Sequence, residues 1–326
     1  MLASRSGTDN KVTVLHRNIR PVPGYGTGTV KVLSLLGFQC YACQTRQCVR
    51  VISLLPLVRS KLFVPGSRNE LFPKAVASAA DALSFDLEDS VADGQKAQAR
   101  DAVAEFLGKH GAEISQTVIV RVNGLDSGLF AADVAALAGC AIDMINVPKV
   151  ESAEDVRRAR SVVPAGTKIL ANIETPKAVR LAAEIANAGV AALQVGFVDL
   201  FSRCGIDPGE TAAKYSIRLA VKLAAAEAGI AVYDSAFAEI KNSDGFRAEA
   251  EAARRLGFTG KSCIHPNQIA IANEVFAPSA HEIAGAEKIL AAAEQKGEGV
   301  FLLDGQMIDK PILERAKALL TRSPSK

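Results

Sequence analysis

The 326-residue chain has no run of about 18 apolar residues, the length a bilayer-crossing helix needs. The nearest candidate, residues 51–58, is short and broken by Pro56. Cysteine is scarce: six in so long a chain do not build a disulfide scaffold. The formal charge of +3 is too small to point to nucleic acid. The glycine fingerprint of an open dinucleotide-binding sheet is missing after residue 58; Gly24-x-Gly26-x-Gly28 has the wrong spacing and setting. What is there, 49% hydrophobic and 22% charged residues, excludes disordered, collagen-like and coiled-coil classes.

The charge is unevenly spread. Residues 1–58 hold seven bases (Arg5, Lys11, Arg17, Arg20, Lys31, Arg46, Arg50) against Asp9 alone, so this leader is +6 and the remainder −3. It also carries Cys40, Cys43 and Cys48. Three readings stay open: a poorly structured extension, which is preferred, an organelle transit segment, or part of a metal knuckle that lacks a nearby fourth ligand.

From Arg59 the pattern changes. Short apolar runs at 61–65, 82–88, 117–123, 144–150, 168–174, 192–199, 231–237 and 260–266 read as strands buried on both faces. Ala-rich helical segments separate them, among them 69–80, 95–109, 152–162, 176–187 and 211–228. Thr175-Pro176 and Asp207-Pro208 read as helix starts, and Ser152 as a cap. Gly189 and Gly229 sit where a helix ends in a left-handed residue. Strand and helix alternating eight times predict an α/β fold, a TIM-type (β/α)8 barrel over 59–276. A C-terminal helical appendage over 277–326 follows, with helical patterns at 280–295 and 311–321.

Barrel chemistry gathers where strands end. The polar residues expected there are Arg68 after the first strand, Asp86, Glu88 and Asp89 after the second, then Arg121 and Asn123. Lys149, Glu174, Asp199 and His265 follow at later strand ends. Crowded carboxylates need protons or a cation. Oxygen ligands without a His/Cys cluster favour Mg²⁺, and Glu174 and Asp199 on adjacent strands are its candidate ligands. The alternative for each acid is a helix cap or an arginine partner. Lys149, followed by Glu151, reads as a structural ion pair rather than a Schiff-base amine. Glu88 and Asp89 are expected to position Arg59 or Arg121. Cys140, Cys204 and Cys263 read as buried thiols with no triad around them.

Several blocks of the chain resemble the citrate lyase β-subunit-like (HpcH/HpaI aldolase) family. They are Arg59-Ser60-Lys61-Leu62-Phe63-Val64-Pro65-Gly66, Phe85-Asp86-Leu87-Glu88-Asp89, Val120-Arg121-Val122-Asn123-Gly124 and Val147-Pro148-Lys149. The order continues with Ile173-Glu174-Thr175-Pro176, Gly196-Phe197-Val198-Asp199-Leu200, Ile264-His265-Pro266-Asn267 and Asp304-Gly305-Gln306-Met307-Ile308-Asp309. The resemblance covers 59–321 and implies a Mg²⁺-dependent barrel that makes or breaks a C–C bond beside a CoA thioester. It implies Glu174 and Asp199 as metal ligands, Arg121 on the carboxylate of a 2-oxo acid, and Phe63, Arg68 and Lys74 along CoA. His265 is a further substrate-contact candidate, with a packed strand-end histidine as its alternative. The resemblance also implies a homotrimer or hexamer in which Asp309 reaches a neighbour's site. Ser202-Arg203-Cys204 departs from the family pattern.

The expected activity is cleavage of a 3-hydroxyacyl-CoA into an acyl-CoA and a 2-oxo acid. The alternatives are a malyl-CoA-type thioester hydrolase, the β subunit of a citrate lyase working on an acyl-carrier protein, or a non-catalytic barrel. Neither nucleic acid nor membrane is expected as a partner, and the expected location is the cytoplasm.

Overall fold

A computed structural model describes residues 57–321 apart from residue 298. The readings made for residues 1–56, the three cysteines included, lie outside the described residues. Eight parallel strands close into a barrel in sequence order. The chain runs β1 (Ser60–Pro65), α1 (Phe72–Val76), β2 (Ala82–Asp86), α2 (Lys96–His110), β3 (Thr117–Arg121), α3 (Phe130–Ala136) and β4 (Met144–Val147). It continues with α4 (Ala153–Val162), β5 (Lys168–Ile173), α5 (Pro176–Arg180), α6 (Ala182–Asn187), β6 (Ala192–Val195), α7 (Phe197–Cys204) and α8 (Thr211–Ala228). Then come β7 (Ala231–Asp234), α9 (Ser243–Arg255), β8 (Gly260–Cys263) and α10 (Pro266–Phe276).

β1 spans its apolar run and Ser60 before it; the other seven strands begin where their runs begin and stop one to four residues earlier, because the last residues of those runs form loops or the first turn of a helix. The outward faces of the strands and the inner faces of the helices make one apolar shell. A smaller cluster, including Ile119, Met144, Leu170 and Tyr233, fills the lower barrel interior.

Local signals account for several helix ends. Thr175 Oγ1 accepts from Ala178 N at 3.1 Å and Ser152 Oγ from Asp155 N at 3.2 Å, each satisfying an amide of the first turn. Gly229 closes α8 at φ +67°, a conformation an L side chain resists. Asp207-Pro208 does not start a helix. Asp207 Oδ1 instead accepts from Gly209 N at 2.6 Å in a turn, and Glu210 caps α8.

Beyond the barrel the expected helical appendage is present, with one added element. Between α11 (Ala280–Lys296) and α12 (Lys310–Thr321) lies an antiparallel hairpin, β9 (Phe301–Leu303) and β10 (Gln306–Ile308). Ala293, Ile308 and Leu313 form its own small core. Gly305 at φ +81° allows the tight turn.

Candidate active site

Register brings the first pair together. Asp86 ends β2, Arg121 ends β3, and the two are direct cross-strand partners. The Asp86 carboxylate accepts from Arg121 Nε and Nη2, both at 2.7 Å, a bidentate fork. Asp86 also accepts from the backbone amides of Glu88 and Ser90, so it fixes the loop that carries the next two acids. Lys96 Nζ secures the same loop by donating to the carbonyls of Leu87 and Glu88. Burial opposes ionisation of Asp86, but Arg121 outweighs it and holds the carboxyl below its ordinary range.

Glu88 stands between two cations. Its Oε1 accepts from Lys149 Nζ at 2.7 Å, and its Oε2 lies 2.9 Å from Arg121 Nη1 as an ion pair rather than an angle-satisfying hydrogen bond. Asp89 is more exposed and lies 3.5 Å from Arg121 and 3.6 Å from Lys149. The expectation for Arg59 is corrected: it binds Asp81, not Glu88 or Asp89. The Lys149–Glu151 pairing is also corrected. Lys149 pairs with Glu88, while Glu151 lies 3.5 Å from both Lys177 and Arg203. Burial disfavours the Lys149 ammonium, yet Glu88 and Asp89 overcome that and hold its pKa above the ordinary lysine range. A lysine so held is a poor Schiff-base nucleophile.

Glu174 directly follows β5 and is 2% exposed. Its Oε1 accepts from Lys149 N at 2.7 Å and its Oε2 from Asn172 Nδ2 at 3.2 Å. Lys149 sits at φ +52°, a strained conformation for a side-chain-bearing residue, and its amide is the one that holds Glu174. Gly196, after β6, makes room: a Cβ there would stand 2.5 Å from Glu174 Oε2. Burial first, then repulsion from Asp199 and Glu88, pushes the Glu174 carboxyl up to about 7.

Asp199 is not at a strand end. β6 stops at Val195, and Asp199 lies in the first turn of α7. Adjacent β5 and β6 nevertheless bring it to the wall that holds Glu174. Both line a cavity of about 1130 Å³ with Glu88, Asp89, Lys149 and Asn123.

The other expected residues do not line this cavity, and of the three thiols expected to be buried only Cys263 is, Cys140 being half-buried and Cys204 exposed. Phe63 of β1 has its ring centroid 5.0 Å from Arg121 Cζ. Arg68 is exposed and paired with Glu70; Lys74 is exposed on α1; neither lines the large cavity. His265 caps α10, its Nδ1 accepting from Asn267 N at 3.2 Å. Asp309 Oδ1 accepts from Ile312 N at 3.3 Å at the start of α12, away from this chain's cavity. Asn172 and Gly196 are not among the site residues read from the sequence. Asp86 was visible in the strand-two cluster, but its fork with Arg121 depends on register.

Among the described residues, no three His, Cys, Asp or Glu side chains converge as a complete metal-ligand group. Two carboxylates facing one cavity, one of them pushed toward neutrality by burial and then by its acidic neighbours, fit a hard cation that takes its remaining oxygens from water and substrate.

The model of the family described as HpcH/HpaI aldolase/citrate lyase matches residues 59–266. The chain belongs to this family. A (3S)-malyl-CoA thioesterase of Cereibacter sphaeroides is 39% identical over 273 residues, covering 81% of this chain and 94% of that protein. A citrate lyase subunit beta of Leuconostoc mesenteroides subsp. cremoris is 36% identical over 284 residues, 81% of this chain and 92% of that one. Among solved structures, CitE of Mycobacterium tuberculosis in complex with magnesium, acetoacetate and coenzyme A superposes with a TM-score of 0.68 at 33% identity. That match covers 81% of this chain and 97% of CitE. Among the described residues, no helix is long and apolar enough to cross a membrane.

Proposed function

We propose that the protein is a Mg²⁺-dependent carbon–carbon lyase that cleaves a 3-hydroxyacyl-CoA into an acyl-CoA and a 2-oxo acid. The observation that carries this is the crowding of Glu174 and Asp199 on one cavity wall, with more carboxylates than the surrounding cations match. The similarity to a citrate lyase subunit and to CitE with magnesium and coenzyme A supports it.

Glu174 and Asp199 are the residues to hold the metal. Bound there, a divalent ion supplies Lewis-acid polarisation for the hydroxyl and the neighbouring carboxylate. Asp86 pins the Nε–Nη2 edge of Arg121, and the carboxylate of the oxo acid is assigned to Nη1, where it would take the place of, or share the guanidinium with, Glu88 and Asp89. Glu88 and Asp89 keep Arg121 and Lys149 in place. Lys149 stays protonated and orients Glu174 through its own backbone amide. Phe63 on β1, Arg68 just after it and Lys74 on α1 are assigned to coenzyme A. His265 is retained only as a secondary substrate contact through the loop after β8.

Cleavage must move the hydroxyl proton to the enolate carbon. Asp309 is assigned that proton in a neighbouring subunit's site of a homotrimer or hexamer. Exposed Val300, Leu302 and Met307 around the hairpin give the appendage an apolar surface for such contact. A cytoplasmic location is part of the same reading.

The 39% identity to a malyl-CoA thioesterase favours hydrolysis as the second reading. Product analysis with malyl-CoA and citramalyl-CoA separates the two. Acetyl-CoA plus a 2-oxo acid means lyase; free CoA plus intact hydroxy acid means hydrolase. If neither appears, the same assay on an acyl-carrier-protein thioester tests the citrate lyase β-subunit alternative.

A further inference from the structure

The barrel interior directly beneath the site is polar where a barrel core is ordinarily filled by branched apolar side chains. The register identifies the layer. Ser84 faces Ile119, which faces Met144, and two residues further along β4 is Asn146. The same step leads from Asn146 to Gln194, from Gln194 to Ser262, and from Ser262 through Lys61 and Ala82 back to Ser84. The four make one closed ring of alternate strands. All four are buried, and each has a side-chain atom without a hydrogen-bond partner among the described residues.

Lys61 and Tyr233 belong to the layer just below, and both end in equally unpartnered polar atoms. Lys61 is fully buried, and its Nζ lies 3.9 Å from the centroid of the Phe63 ring. Arg121 Cζ lies 5.0 Å from the same centroid. A polar interior of this kind is not what stability selects. A methionine would fill the lysine's volume without a polar atom to desolvate. Burial, and then Arg121, hold the Lys61 amine well below its ordinary range, against the opposing pull of Asp86, Glu174 and Cys263. The feature that sets this lysine apart is its contact with a ring that also meets Arg121.

We infer that Lys61 is a positioning residue of this active site that acts through Phe63. Its amine holds the ring from the barrel interior, and the ring fixes where Arg121 and the carboxylates paired with it stand. An ammonium is attracted to a ring face most strongly where water is excluded, and a neutral amine can still donate an N–H to it. A guanidinium displaced by even about 1 Å costs rate out of proportion to the movement. The inference rests on the lyase reading for its kinetic readout, though not for its structural one.

The test uses Lys61→Met, Phe63→Leu and the double variant in the full-length protein. Lys61→Met is expected to melt at or above the parent temperature. Its kcat is expected to fall by about tenfold or more, a larger change than any in KM for the thioester, which the same ring can also touch. Added to Phe63→Leu, the lysine substitution should cost less than about a further twofold, because it acts through the missing ring. Full activity of Lys61→Met, or losses that multiply in the double variant, overturns the inference. If Lys61→Met does not fold, Lys61→Gln replaces it; failure of both makes the lysine structural and overturns it too. If the parent cleaves no CoA ester, the lyase reading has failed on its own. The crystal structure of Lys61→Met then decides, a displaced Phe63 ring supporting the inference and an unmoved one overturning it.

Discussion

Two buried ion networks sit on this barrel, and they differ in what their charges leave over. Behind β7 and β8, Asp234 accepts from Arg218 Nε at 2.8 Å and from Lys261 Nζ at 2.7 Å. Glu249 meets Arg218, Lys261 and Lys214. Burial opposes both acids, yet the cations outweigh it and hold both below the ordinary carboxylate range. At the mouth between β2 and β6, Arg121 and Lys149 are committed to Asp86, Glu88 and Asp89. Glu174 and Asp199 then share one wall of the same cavity, and burial, followed by repulsion from Asp199 and Glu88, drives Glu174 up to about 7. Residue types do not distinguish the two networks. The closed network is complete within the fold, whereas the open one still needs positive charge, and that deficit marks the site.

The largest effect that sharpens this contrast is expected at the closed network. Asp234→Asn leaves Lys261 and Arg218 with Glu249 as their one shared acid, and should cost about 3–5 kcal/mol in urea unfolding. Its Mg²⁺ affinity should stay near the parent value wherever it remains folded. A site variant that lost comparable stability would erase the distinction.

Next comes pH. The Glu174 carboxyl titrates near 7 in the folded chain against an ordinary 4.5. Between those values the native state keeps a proton that the unfolded state has lost. Metal-free protein should therefore lose about 3 kcal/mol from this group as pH rises from about 4.5 to 7. Glu174→Gln should flatten that slope, and saturating Mg²⁺ should offset the loss above pH 7. A metal-free stability curve that the substitution leaves unchanged would remove the claimed charge deficit.

Gly196→Ala probes the close approach of β6 to Glu174. The added methyl should force a shift costing about 1–3 kcal/mol of stability and should weaken Mg²⁺ binding. Unchanged affinity in calorimetry would mean that Glu174 need not stay where Gly196 allows it.

The smallest stability effect is expected at Asp309. As the cap of α12 it is worth about 1 kcal/mol in thermal unfolding. A kcat loss far beyond that scale in Asp309→Ala would support its role in a neighbour's site. Mixing Asp309→Ala with Asp199→Ala subunits should then restore part of the activity.

Much of the barrel was legible because its strands are apolar on both faces and its helix starts carry Thr175 and Ser152. The strand ends were less so. The run from 192 to 199 reads as one apolar strand, yet Phe197, Leu200 and Phe201 are buried at helical spacing within an eight-residue helix. A helix that short gives too few turns for its period to stand out. The fork of Arg121 on Asp86 and the hold of the Lys149 amide on Glu174 were hidden for another reason. Register decides the first and an unusual backbone angle the second, and neither is a property of composition. The hairpin after α11 was missed because three-residue strands carry almost no alternation.

The central claim is that Glu174 and Asp199 together hold the metal on which turnover depends. Isothermal titration of Mg²⁺ into the metal-stripped parent and into Asp199→Asn, at one pH above 7, tests it most directly. One site per chain in the parent, weakened by about tenfold or more in the variant with activity lost in parallel, is the predicted result. Equal affinity in both proteins would contradict it.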